Sequence, residues 1–274
     1  MSDHQFETPR PVRLVTEIGK GSVTVNATET ATTRVEIVGR DADQVDVRLD
    51  GDQLSVIGPR RGASFFGSDN RLDVTVTLPT ASQLAVKTGS ADVTVTGTVA
   101  GSQVKSGSGD VEIDTVDGPL AVETGSGAVR LEEARGDLRI KSGSGDVLVT
   151  EASATLAVST GSGEVQLWRT HGPVVVKTGS GDVRVGDAGA DVTMTTGSGD
   201  LVVNTARRGR MTAKGASGDV HVGVPAGVPV WTDISTVSGH IRSNLQGTGA
   251  PEDGADHVEV RAKVVSGDVV LTQV

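Results

Sequence analysis

A six-residue motif, Thr/Ser-Gly-Ser-Gly-Asp-Val, returns at one fixed interval through the middle of this chain, and that interval limits the fold more than any other feature. Its first residues are Thr88, Ser106, Thr124, Ser142, Thr160, Thr178 and Thr196, each 18 residues after the last. The glycine that follows is present in all seven copies, and nothing is inserted between them. A unit this short cannot bury its own apolar face, so it must stack on copies of itself. Within one period the apolar residues alternate before the turn (Leu138, Ile140) and after it (Val147, Val149), the period of two expected of half-buried strands. A small residue closes the second strand (Ala134, Ala152, Thr170, Ala188, Ala206) and a glycine often follows (Gly118, Gly136, Gly172), which marks a second turn. Two short strands and two turns close one coil. The expected fold is therefore all-β, a parallel β-solenoid (β-helix) with 18-residue coils.

Composition fits a narrow bore. Aromatic residues make up 2% of the chain and glycine 37 of its 274 residues, as expected where paired Val, Leu, Ile and Ala fill the interior and large rings would overpack it. The chain is expected to be one continuous domain. Residues 1–9 read as a flexible tail, 10–80 as an N-terminal β cap with the first coils, 81–223 as the regular solenoid, and 224–274 as degenerate coils carrying an acidic Gly/Pro loop at 244–257. In the cap, Val45 to Val56 reads as two alternating strands around an Asp50-Gly51 hairpin turn that begins the stack. Gly19 to Val25 reads as a degenerate turn-strand unit and Leu72 to Leu78 as a further strand. Phe65 and Phe66 are candidates to plug one end. After Thr196 the spacing rises to 19 at Gly215-Ala216-Ser217-Gly218-Asp219, and weaker copies follow at Ser238-Gly239-His240 and Ser266-Gly267-Asp268, so the array is expected to fray toward its end.

Three stretches carry a resemblance: Leu72-Asp73-Val74-Thr75-Val76-Thr77-Leu78-Pro79, the seven central turns, and Val258 through Val269. With these the chain resembles the bacterial putative-adhesin family of β-strand-repeat proteins, a domain of unknown function. The segment Val230-Trp231-Thr232-Asp233-Ile234 is similar to the actinobacterial type without a signal peptide. The resemblance implies a solenoid and brings no catalytic residue with it.

The chemistry available is sparse. With 35 acidic against 25 basic side chains, the net charge of −10 disfavours nucleic acid as a partner. The clusters Arg60-Arg61 and Arg207, Arg208 and Arg210 read as solvated turn charges. The chain has no cysteine, which removes thiol catalysis and thiolate metal sites. No paired-histidine or phosphate-loop motif occurs, so no enzyme activity and no cofactor are expected, and any small-molecule ligand is left open. The sharpest feature is an acid ladder: Asp92, Asp110, Asp146, Glu164, Asp182 and Asp200, interrupted at Ala128 and continued by Asp219 and Asp268. Carboxylates stacked about 4.8 Å apart repel by about 3 to 4 kcal/mol at an effective dielectric near 20, and by about 0.9 in bulk water. Calcium is one offset, with Asp110, Asp146, Glu164, Asp182 and Asp200 as its ligands. The structural offset is favoured, in which each Asp accepts N–H bonds within its own turn and a column of Lys87, Lys105, Lys141 and Lys177, with Glu123 where the acid is lost, balances charge.

Trp168 stands alone in a column of Thr96, Asp114, Glu132, Thr150, Gly186 and Asn204, outside by alternation, with Leu148 and His171 nearby. An exposed Trp marks an interface, and packing flat on its neighbours is the alternative. Trp168, Phe65, Phe66 and the 244–257 loop are thus the interaction candidates, for a protein partner or for self-association. The N-terminus lacks the apolar core of a secretory signal, and no apolar run is long enough to span a bilayer. The reading is a cytoplasmic, non-enzymatic scaffold or protein-interaction module, with a surface adhesin or envelope-stress protein as the alternative and a calcium-dependent module behind it.

Overall fold

The computed structural model describes residues 1–59, 71–246 and 256–274. Among them are 25 strands, one short 3-10 turn and no α-helix, and hence no helix long and apolar enough to cross a membrane. The chain divides into two compact units, 1–136 and 137–274, and each is a parallel β-solenoid.

In the second unit the 18-residue rhythm appears as residue-by-residue pairing. Strand Val147–Ala152 lies parallel to Val165–Thr170, that strand to Val183–Ala188, and that one to Leu201–Ala206, so Val147, Val165, Val183 and Leu201 form one column. The opposite face repeats this with Leu138–Ser142, Leu156–Thr160, Val174–Thr178 and Val192–Ser198. Every member of the column from Val147 to Leu201 is at most 1% exposed. Each such side chain contributes about 1.5 to 3 kcal/mol of burial, which a single coil could not obtain alone. The small residues Ala152, Thr170, Ala188 and Ala206 are also buried, where the tier narrows into its second turn. The step to 19 residues falls there: Ala188 still faces Ala206, but Val192 faces Met211. The extra residue is absorbed at Arg207-Arg208-Gly209, where Gly209 adopts φ +89.

Chain order and spatial order part company at the C-terminus. Strand Val258–Ser266 sits between Gly209–Ser217 and Val230–Ser238, pairing in parallel with both. On the other face Val269–Gln273 likewise sits between Val220–Val224 and Ile241–Ser243. The last coil in sequence is therefore an inner tier, and the coil at 230–243 is the outermost one. The expectation of an array fraying in chain order is corrected accordingly. The reason is in the side chains: Val258, Val260, Ala262, Val264, Val269 and Leu271 are all buried, as a tier covered on both sides requires, whereas the inward positions of the outer coil carry the polar Thr232 and Thr236 opposite Val260 and Val264, and Ile241 opposite Val269 is exposed.

The first unit shows the same device. Strand Arg13–Ile18 lies between Gln53–Ile57 and Gln83–Thr88, and Lys20–Thr28 between Arg71–Pro79 and Asp92–Ser106. The Asp50-Gly51 hairpin is present, with Asp46–Asp50 antiparallel to Gln53–Ile57 and Gly51 at φ +60. Strand Thr32–Gly39 closes the outer edge of Arg71–Pro79 in antiparallel fashion, and Ser2–Glu7 adds antiparallel to it. Residues 2–7, read from the sequence as part of a flexible tail, are thus an edge strand. Its polar residues offer no apolar alternation to read, because it is held by backbone pairing on the solvent side. Regular tiers follow from Asp92–Ser106 through Val111–Thr124 to Val129–Ala134.

Candidate interaction surface

The repeated turn is built from three kinds of contact. The leading Ser or Thr hydroxyl bonds within its own turn: Ser106 Oγ donates to the Gly109 carbonyl at 2.8 Å and Ser142 Oγ to that of Gly145 at 2.8 Å, while Gly181 N–H donates to Thr178 Oγ1 at 2.8 Å. The glycines are fixed by close approach between tiers. A Cβ on Gly127 would lie 2.0 Å from the Gly109 carbonyl oxygen, and one on Gly163 2.1 Å from that of Gly145. No side chain fits there, which explains the glycine column even where φ is negative; its later members Gly218 and Gly267 add φ of +133 and +141.

The aspartates join one tier to the next. Asp110 N–H donates to Asp92 Oδ1 at 3.0 Å and Ala128 N–H to Asp110 Oδ1 at 2.8 Å in the first unit. In the second, Glu164 N–H donates to Asp146 at 2.9 Å, Asp200 to Asp182 at 2.9 Å, Asp219 to Asp200 at 2.7 Å, Asp268 to Asp219 at 2.7 Å, and His240 to Asp268 at 2.8 Å. This corrects the expectation that each Asp serves its own turn. In the Thr copies the hydroxyl already fills that role, Thr124, Thr160 and Thr178 Oγ1 accepting the turn N–H of Gly127, Gly163 and Gly181, and the carboxylate reaches forward to the N–H of the equivalent residue one tier on. The ladder follows the inserted order Asp219, Asp268, His240, so it tracks space and not sequence. At its end the His240 N–H bond holds the Asp268 carboxyl below the usual range. Glu164, one carbon longer, pairs instead with Arg184.

Two members of the Lys column pair with glutamates: Lys87 Nζ with Glu17 at 2.8 Å and Lys105 Nζ with Glu123 at 3.0 Å. The basic cluster is likewise engaged by acids. Arg207 makes a two-pronged contact with Asp187 at 2.7 Å on both prongs, Arg210 pairs with Glu259, and Arg208 Nε donates to the Gly189 carbonyl at 2.8 Å. The Arg207 guanidinium holds Asp187 below the ordinary carboxylate range, and Arg210 does the same for Glu259.

Trp168 is 61% exposed. In Val165–Thr170 the burial pattern places two consecutive residues, Trp168 and Arg169, outside between buried Leu167 and Thr170, at the corner of the tier. Leu148 pairs with Gln166 two positions away and is half-buried. A polar rim adjoins: Glu151 accepts from His171 Nε2 at 3.0 Å and faces Arg169 Nη1 at 3.6 Å. The structure therefore gathers Trp168, Leu148 and His171 on one part of the second unit. Phe65, Phe66 and most of the 244–257 loop lie outside the described residues. A second exposed aromatic, Trp231, is 52% exposed beneath Arg261, whose guanidinium carbon lies 5.5 Å from the ring centroid. Sequence reasoning did not single it out as a contact, although its place in a copy without buried apolar alternation was a signal.

The family model described as Toastrack DUF4097 matches residues 13–186 and again 169–272. Among solved structures, the chain is similar to a putative cell adhesion protein from Clostridium sporogenes, at 10% identity and TM-score 0.26, covering 100% of this chain and 99% of that one. It is similar to a putative adhesin from Bacteroides fragilis, at 12% identity and TM-score 0.40, covering 100% and 96%. A putative lipid binding protein from Parabacteroides distasonis is similar at 13% identity and TM-score 0.32, again over 100% and 96%. No curated protein matches the sequence.

Proposed function

Because the chain belongs to the Toastrack DUF4097 family, we propose that it works as a non-enzymatic scaffold in the cytoplasm, holding a protein partner against the Trp168 corner of its second unit. The observation that carries this reading is the ring itself. A 61% exposed indole on a strand paired in register on both edges cannot retreat into the core, because the adjoining inward column is already filled by Val149, Leu167 and Val185. An apolar centre with a Glu151, Arg169 and His171 rim has the make-up of a contact surface. Trp is also the residue type most often found to dominate binding energy.

Partner recovery by the full chain and by Trp168→Ala tests this. Recovery should fall with the substitution while the circular dichroism spectrum is unchanged; equal recovery removes the assignment. The neighbours named as adhesins motivate display at the cell surface as a second reading. Protease treatment of intact cells separates the two: protection of the chain supports the cytoplasmic reading, and cleavage supports display.

A further inference from the structure

The two units treat their sheet edges differently. In the first, the outer edge of Arg71–Pro79 is covered by Thr32–Gly39 and then by Ser2–Glu7, a strand carrying Asp3, His4 and Glu7. Antiparallel cover and charge are two means of preventing an edge from pairing with another chain. In the second, strand Val230–Ser238 pairs with Val258–Ser266 on one side and, among the described residues, with no strand on the other. Around that edge Trp231, Val237 and Ile241 are 52%, 83% and 52% exposed.

Backbone parity shows what the edge offers. Val258 N–H donates to the Pro229 carbonyl at 2.9 Å, and Val230, Thr232, Ile234 and Thr236 lie opposite Val258, Val260, Ala262 and Val264. In a parallel ladder this turns the N–H and C=O groups of 231, 233 and 235 toward Val258–Ser266. Those of 230, 232, 234 and 236 then face outward.

We infer that this edge pairs with the same strand of a second copy, antiparallel about a two-fold axis at Ile234. With that centre, Trp231 lies opposite Val237, Thr232 opposite Thr236, and Asp233 opposite Ser235. The exposed apolar residues cover one another twice by symmetry, and the strand's one charge meets a hydroxyl. All the outward-facing groups fall in hydrogen-bonded pairs. Moving the axis to Asp233 sets two carboxylates against each other, and moving it to Ser235 leaves Trp231 opposite Gly239 and Val237 opposite Asp233. Of these three registers the first is the self-complementary one, as a two-fold interface requires. Continued parallel stacking into a filament is disfavoured by the ladder's last residue. His240 gives its N–H to Asp268 but carries no carboxylate to receive the turn N–H of a further tier.

The test uses the full chain of 27.9 kDa. Sedimentation equilibrium should give twice that mass. Thr232→Pro removes an outward N–H, leaves every bond to Val258–Ser266 in place, and is the kind of proline an edge strand tolerates. It should weaken association at least tenfold with no loss of strand signal. The register is read independently of that variant. The chain has no cysteine, so Ile234→Cys places one thiol on the axis, with Cα atoms about 5.5 Å apart, inside the disulfide range. Val237→Cys places its two thiols roughly 20 Å apart along the strands. Mild oxidation should link Ile234→Cys into a covalent dimer and leave Val237→Cys unlinked. A wild-type mass of one chain at all concentrations overturns the proposal. So does a mass that grows without limit, which indicates open stacking, or equal linking of the two cysteine variants.

Discussion

Replacing Asp182 separates two opposed accounts of the acid ladder. Its carboxylate accepts the Asp200 N–H at 2.9 Å in a partly buried setting. A hydrogen bond to a charged acceptor contributes about 1.5 to 3 kcal/mol net, and partial exposure places this one near the lower end. Removing the charge also relieves repulsion with Asp200, by about 0.9 kcal/mol at the dielectric of water; the other column neighbour, Glu164, is already paired with Arg184. Asp182→Ala loses the bond and gains the relief, a net loss of about 0.6 kcal/mol. Asp182→Asn keeps an acceptor oxygen in the same place and gains the same relief, so it should lie within about 0.5 kcal/mol of wild type. Amide hydrogen exchange at Asp200 reads the bond locally, which suits a stacked array that need not unfold in one step. Protection of that amide should fall about threefold in the alanine variant and stay near wild type in the asparagine variant. Equal protection in the two variants, or greater stability of the alanine variant, would show that repulsion dominates and that the inter-tier bond contributes nothing.

Three further outcomes follow from the same geometry. Gly163→Ala drives a Cβ to 2.1 Å from the Gly145 carbonyl oxygen, so urea denaturation should show a loss of about 3 kcal/mol or more, or a unit that no longer folds. Within the hydroxyl column, Thr178 Oγ1 receives the Gly181 N–H at 2.8 Å, whereas Thr196 Oγ1 is buried with no protein partner among the described residues. Thr178→Val should therefore cost about 1 to 2 kcal/mol and Thr196→Val should be neutral or stabilising, both measured by thermal melting. Asp187 is held below its unfolded value by Arg207, so its stabilisation is fully present above the unfolded value near pH 4 and disappears as pH falls through the lower folded value. A melting-temperature profile in acid should be shallower in Arg207→Ala, and an unchanged profile would show that the pair does not contribute.

The regular tiers were legible because period and alternation are properties of spacing. Any copy with Leu138, Ile140, Val147 and Val149 in that pattern stacks the same way. The destination of the aspartate bond was not legible, since an acceptor in its own turn and one a tier away call for the same residue at the same position. The Ser/Thr hydroxyl decides the matter, and it does so only once its own bonds are placed. Tier order at the ends was hidden for a different reason. Stacking chooses the best-fitting neighbour irrespective of chain order, so Val258 to Leu271, apolar at every inward position, displaces the more polar copy at 230–243 from the interior. The clue was present in the sequence, since Asp268 continues the ladder and His240 does not. Ser2–Glu7 had no such clue, because it is held by backbone pairing and by the Asp3–Arg34 ion pair, neither of which leaves an apolar alternation. Trp168 was legible as outward by alternation, and its exposure follows from lying at a corner where two successive side chains face solvent.

The central claim is that fit between equivalent side chains, not chain order, assigns each coil its tier, and disulfide mapping in the C-terminal tiers tests it most directly. Thr212 and Asp233 each lie in register with Arg261, which predicts Cα separations of about 4.8 Å for the pairs 212/261 and 233/261 and about 9.6 Å for 212/233. In a chain without native cysteine, double substitution to cysteine should give rapid closure for the first two pairs and none for the third, which exceeds disulfide reach. Closure of 212/233 with failure of 212/261 would show that the coils stack in the order of the sequence, and would contradict the account.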